Sequence, residues 1–245
     1  MTEHFAPVVR GSGPGLLLAH GAGGSVQANF GPILDDLAQT HTVVGRDYPV
    51  ADRPSLDGLA DALVQTAVDA GVERFTILGY SLGTAVAVRA VTRHPERVTG
   101  LVLTAGFARP SNQMRLALAV WRELLDLGNE ELLAKYVTFA GVGGQFLNAL
   151  TPRELEEAVA GVVVPDGTAE LVDLVASVDT TAELGRVTVP TRVIGTRQDV
   201  LVPIDVQRDL AEGIPGAEYL EIASGHSMQA EARDEWLARI REFRH

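Results

Sequence analysis

The chain has 245 residues, 46% of them apolar, a net charge of −12 and no cysteine. The acidic balance, with Lys135 the single lysine, argues against nucleic acid and anionic membrane surfaces as partners, since both are bound through clustered basic residues. The lack of cysteine excludes disulfide staples, thiol nucleophiles and thiolate metal sites, leaving nucleophilic work to hydroxyl groups.

No segment approaches the about 18 consecutive apolar residues of a membrane-spanning helix. Residues 1–10 contain Glu3, His4 and Pro7 but no basic start ahead of a long apolar run, so no secretory leader is expected and cytoplasmic residence is the default. The excess of Ala, Val, Gly and Arg over Lys suggests a GC-rich bacterial genome. The length suits one large α/β domain carrying an insertion, as a monomer or homodimer.

In chain order, the apolar run 16–19, between Gly-Pro-Gly and His20-Gly21, predicts a strand buried on both faces. Phe30, Ile33, Leu34 and Leu37 recur at helical spacing within 29–38. A strand follows at 42–45, then a helix that Ser55 can cap, with Leu56, Leu59, Ala60, Leu63, Val64 and Ala67 on one side. Residues 75–80 form a further strand, 84–94 a helix and 98–103 another strand. From 107 to 184 helical spacing continues while strand signals nearly vanish, which predicts an inserted helical lid. Within it Thr151-Pro152-Arg153-Glu154 has the pattern of a capping box. Strands at 191–194 and 219–222, a helix near 204–212 and a final helix over about 228–243 complete the alternation. Such alternation indicates a mostly parallel sheet with helices on both faces and reactive loops at the carboxyl ends of the strands.

The chemistry concentrates at Gly79-Tyr80-Ser81-Leu82-Gly83, a Gly-x-Ser-x-Gly turn directly between strand and helix. Glycines two positions either side of the serine let the chain turn sharply, and the new helix aims unpaired N–H groups at any anion forming there. A serine needs a base and the base an orienting acid. Among six histidines, His4 and His245 are terminal, His41 enters a strand and His94 precedes Pro95; His226 alone sits on a loop after a late strand, ahead of the last helix. Asp199, just after the strand at 191–194, is the expected acid, with Asp205 its nearest rival. The N–H groups of Leu82 and Ala22 are the expected oxyanion donors. The glycines at 21–24 lack the Lys-Ser/Thr of a phosphate-binding loop.

These residues resemble the α/β-hydrolase superfamily in the chain order Ser81, Asp199, His226. Similar features are His20-Gly21, His94-Pro95-Glu96-Arg97-Val98, Val189-Pro190-Thr191, Asp199-Val200-Leu201-Val202-Pro203 and Gly225-His226. Two departures stand out: the amino-terminal antiparallel strands are reduced to one hairpin arm or missing, and Arg46-Asp47-Tyr48-Pro49 lacks a glycine-rich ending. The resemblance implies cleavage of a small, mostly apolar ester, thioester or lactone through an acyl-serine, with no metal or coenzyme. A serine at 81 disfavours the branches that place a carboxylate there. Elimination, cyclisation or acyl transfer on the same triad, and a ligand receptor retaining the fold, are the alternatives. Tyr80, Phe107, Met114, Leu118, Trp121, Tyr136, Phe139, Phe146 and Met228 are expected around the substrate.

Overall fold

A computed structural model describes residues 6–243. The outermost ends of the expected core, 1–5 and 244–245, with His4 and His245, lie outside the described residues. The chain runs β1 (Val8–Arg10), β2 (Gly15–Ala19), α1 (Val26–Leu37), β3 (Thr42–Gly45), α2 (Leu56–Asp69), β4 (Phe75–Tyr80), α3 (Leu82–Arg93) and β5 (Val98–Thr104). Six helices follow without an intervening strand: α4 (Asn112–Leu127), α5 (Glu130–Gly141), α6 (Gly144–Ala149), α7 (Pro152–Ala160), α8 (Thr168–Ser177) and α9 (Thr181–Leu184). Then come β6 (Thr191–Thr196), α10 (Ile204–Gly213), β7 (Glu218–Ile222), α11 (Met228–Glu231) and α12 (Arg233–Arg241). The sheet order is β1-β3-β2-β4-β5-β6-β7, with every pairing parallel except β1 against β3.

Side chains along the central strands alternate between two cores, as the two-residue strand period requires. Leu17, Ile77 and Leu101 face the side covered by α2 and α3, while Leu16, Leu18, Leu78 and Val102 pack with Phe30, Ile33 and Trp236 on the other. Local signals fix the helix starts: Ser55 Oγ accepts from Gly58 N at the head of α2, and Thr151 and Glu154 form a reciprocal capping box at α7. The antiparallel arm β1 is three residues long and pairs Val8 with Gly45.

The carboxyl-terminal segment departs from the expected single helix. It breaks at Ala232, whose φ of −142° and ψ of 37° leave the helical region, and the redirected α12 seats Trp236 fully inside the core, where Nε1 donates to Thr104 Oγ1 at 3.1 Å. Among the described residues no helix is long and apolar enough to cross a membrane.

Candidate active site

Strand β4 ends in the sheet centre, and Ser81 follows at φ 54°, ψ −121°, a left-handed backbone that an L side chain occupies only under constraint, at a cost of about 1–3 kcal/mol. Three hydrogen bonds hold it: Ser81 N donates to Thr104 O at 3.0 Å, while Ser81 O accepts from Thr84 N at 2.9 Å and Thr84 Oγ1 at 2.7 Å. The flanking glycines are dictated by contact. A Cβ on Gly79 would lie 2.6 Å from Gly83 O, and one on Gly83 would lie 1.9 Å from Ala19 O, so α3 can cross β2 and β4 this closely only without those carbons.

The loop after β7 brings His226 over the serine, with Nε2 3.0 Å from Ser81 Oγ. Its Nδ1 lies 2.7 Å from Asp199 Oδ2. Asp199 is held from every side: Oδ1 accepts from Leu201 N at 3.0 Å and Val202 N at 2.8 Å, and Oδ2 accepts from Thr196 Oγ1 at 3.0 Å. Gln207, fully buried on α10, donates through Nε2 to Thr196 Oγ1 and Val202 O and so braces the turn that carries the aspartate. Asp205 caps no such arrangement; it lies in the first turn of α10. His226 is fixed through its main chain as well, because the Tyr80 hydroxyl donates to His226 O at 3.0 Å. Burial, reinforced by the charges of Asp199 and Glu231, raises the Tyr80 hydroxyl well above its ordinary range and keeps it a donor.

The turn after β2 closes the other side. His20 is buried and stacks on Tyr48, with ring centroids 3.9 Å apart. Its Nε2 accepts from Tyr48 N at 3.0 Å, which assigns the proton to Nδ1, 2.8 Å from Gly21 O. Burial lowers the His20 pKa, so the ring stays neutral. The turn Arg46-Asp47-Tyr48-Pro49 thereby has a structural task in place of a glycine-rich ending: Asp47 Oδ1 accepts from Val26 N at 2.7 Å and Tyr48 buttresses His20. Among the described residues neither Ala22 N nor Leu82 N, the first N–H of α3, meets an acceptor.

An apolar cavity of about 440 Å³ opens above Ser81 and His226. Tyr80, Phe107, Met114, Trp121, Tyr136 and Phe146 line it, as does Leu118, and Trp121 lies so close across the turn that a Cβ on Gly23 would sit 2.6 Å from its ring. Two expected lining residues fall elsewhere. Phe139 is 68% exposed because α5 turns Tyr136, Val137 and Ala140 toward the cavity and leaves position 139 outward. Met228 is fully buried in the core beneath the loop, among the residues packed on α1 and α12. Among the described residues no lysine or arginine lines the cavity.

Sequence reasoning passed over Asn29, a buried residue that lines the cavity and whose Oδ1 accepts from Gly21 N at 2.9 Å. It also passed over Thr196 and Gln207. None stands in a local motif; only the fold brings a residue on α1 to the turn after β2, or one on α10 to the turn after β6.

A family model for the α/β hydrolase fold matches residues 14–232. The chain belongs to the α/β-hydrolase fold family. It is 28% identical over 246 residues to pyrrolizixenacetamide deacetylase of Xenorhabdus hominickii, covering 96% of this chain and 92% of the relative. It is 24% identical over 240 residues to a protein assigned as the carbamate hydrolase RutD of Rhizobium rhizogenes, covering 93% and 91%. The enol-lactonase from Burkholderia xenovorans LB400 shares the fold with a TM-score of 0.83 at 19% identity, over 97% of this chain and 95% of that one. With relatives along its length named as hydrolases, this α/β-hydrolase chain is an enzyme.

Proposed function

We propose that the protein hydrolyses a mostly apolar carboxylic ester, thioester or lactone through an acyl-serine intermediate. The observation that carries this reading is the hydrogen-bonded line from Ser81 Oγ to His226 Nε2 and from Nδ1 to Asp199, opening into an apolar cavity without a basic side chain in its wall. In this reading Ser81 Oγ attacks the acyl carbon as its proton passes to His226 Nε2. Asp199 holds the ring with Nδ1 protonated. The N–H groups of Ala22 and Leu82 receive the oxyanion, with the positive end of α3 behind the second. The leaving group departs with the proton from Nε2. Water then gives its proton to the same nitrogen, attacks the acyl carbon and frees the acid and Ser81. The cavity is of the size that holds a drug-sized ligand rather than an acetyl group alone, since such sites span about 300–1,000 Å³.

The decisive experiment is fluorophosphonate labelling followed by peptide mapping, together with turnover of p-nitrophenyl esters. The label is expected on Ser81, and Ser81→Ala is expected to remove both labelling and turnover while the circular dichroism spectrum is unchanged. Labelling at another residue, or full turnover by Ser81→Ala, refutes the reading. A second reading is favoured by the names of the two relatives, an acetamide deacetylase and a carbamate hydrolase, since both substrates place nitrogen on the carbonyl carbon. A matched anilide and phenyl ester of one acid distinguishes the two: faster anilide cleavage moves the substrate class to amides or carbamates.

A further inference from the structure

Glu231 ends α11, outside the line of reacting groups, and is a half-buried carboxylate beside them that the mechanism leaves unused. Its Oε2 accepts two backbone N–H groups from different parts of the chain, Gly225 N at 2.9 Å and Gly143 N at 3.1 Å. Gly225 immediately precedes His226, whereas Gly143 sits in the turn between α5 and α6, whose residues Phe146 and Leu147 line the cavity. The two glycines meet back to back: a Cβ on Gly225 would lie 2.2 Å from Gly143 N, and one on Gly143 would lie 2.7 Å from Glu231 Oε2. Ser227 N closes the same contact by donating to Gly141 O at 2.7 Å. The other oxygen, Oε1, is buried without a hydrogen-bond partner among the described residues.

We propose that Glu231 is a positioning residue for the hydrolytic site, clasping the cavity roof at the α5–α6 turn to the loop that aims His226, so that roof and base are set as one unit. The proposal rests on the hydrolase reading above. Its physical basis is that one acceptor shared by two backbone donors fixes their separation, and a misplacement of about 1 Å at a catalytic group can cost on the order of a hundredfold in rate. The charged groups facing the carboxylate are Asp199, which repels it, and His226, which attracts it; the Tyr80 hydroxyl also faces it.

Retaining an ionised carboxylate here opposes stability. Burial is the largest influence on Glu231 and raises its pKa above the ordinary carboxylate value, against the lowering by Gly225 and Gly143. A raised folded-state value means that the ionised form is disfavoured by folding above that value, and that this penalty fades as pH falls through it. A neutral glutamine accepts from the two glycines more weakly than an ionised carboxylate does, so it loosens the clasp while removing the burial penalty, and Tm at pH 7.5 is left equal or higher. Loss of function without loss of stability marks a positioning role, because a merely structural residue loses both together.

The test compares wild type, Glu231→Gln and Gly143→Ala on short- and medium-chain p-nitrophenyl esters, with Tm for each. Wild-type turnover, or fluorophosphonate labelling of Ser81 where no ester is turned over, first tests the hydrolase reading by itself. For Glu231→Gln the expected result is an unchanged or higher Tm and a fall of about tenfold in kcat/KM that is carried by kcat rather than by KM. Gly143→Ala, which pries the clasp while keeping the carboxylate, is expected to lower kcat/KM for the longer ester more than for the shorter. Wild-type kcat and KM in Glu231→Gln would overturn the proposal. So would a parallel loss of Tm and activity in Glu231→Gln together with wild-type selectivity in Gly143→Ala.

Discussion

The Ser81 turn and the helices α6 and α7 obey opposite rules within one chain. Every residue from Phe75 to Val88 is buried, and Gly79, Ser81 and Gly83 are fixed by direct backbone contact and a strained dihedral. Neither α6 nor α7 has a buried residue, although Phe146 and Leu147 face the cavity, and apolar side chains nearby remain uncovered, with Leu155 at 41% and Val163 at 80% exposure. At the proposed nucleophile, sterics leave no freedom. Along the proposed substrate wall, apolar surface is offered without a tightly packed layer behind it, so identity there is set by shape and can change at little cost to folding.

This contrast is breakable at both ends. The largest effect is expected from Asp199→Asn, which places a donor against Nδ1 and upsets the correct imidazole tautomer: kcat should fall by about 10⁴ with substrate binding retained. A fall of less than tenfold, measured by steady-state turnover, would remove the orienting role of that carboxylate. Next, Gly83→Ala drives a carbon to 1.9 Å from Ala19 O and should cost about 3 kcal/mol or more of stability, read from the urea midpoint. A stable variant would show that the elbow is not sterically over-determined. The smallest structural effect is expected at Phe146→Ala, where a side chain 37% exposed is trimmed: stability should change by less than about 1 kcal/mol. The preference for a hexanoyl over an acetyl ester should nonetheless fall about tenfold. An equal loss of stability and selectivity would erase the distinction between the two regions.

Much of the architecture was legible because it is written in short-range patterns. The buried strands of the sheet, the Ser55 cap and the capping box at Thr151 depend on alternation, spacing and side-chain chemistry within a few residues. The nucleophile turn was readable for the same reason, and His226 and Asp199 were found by asking which loops follow late strands. What escaped depends on packing. Helical spacing placed Phe139 among apolar neighbours but does not say which side of α5 faces the cavity, and Met228 opens a helix whose burial is decided by the core below. The three-residue β1 carries too little pattern to announce a strand, and the break at Ala232 has no glycine or proline to mark it. Asn29, Gln207 and Glu231 accept from backbone N–H groups outside any local motif, and Thr196 braces Asp199 together with Gln207, so this bracing emerges only once the strands are in order.

The buried His20–Tyr48 pair has a practical consequence for anyone measuring this protein. With one ring nitrogen accepting from Tyr48 N, the other beside Gly21 O, and burial holding the ring uncharged, the floor beneath the oxyanion turn does not titrate across the neutral range. An acid–base scan of turnover in that interval therefore carries no inflection from the ring beneath that turn, although it lies only one loop from Ser81.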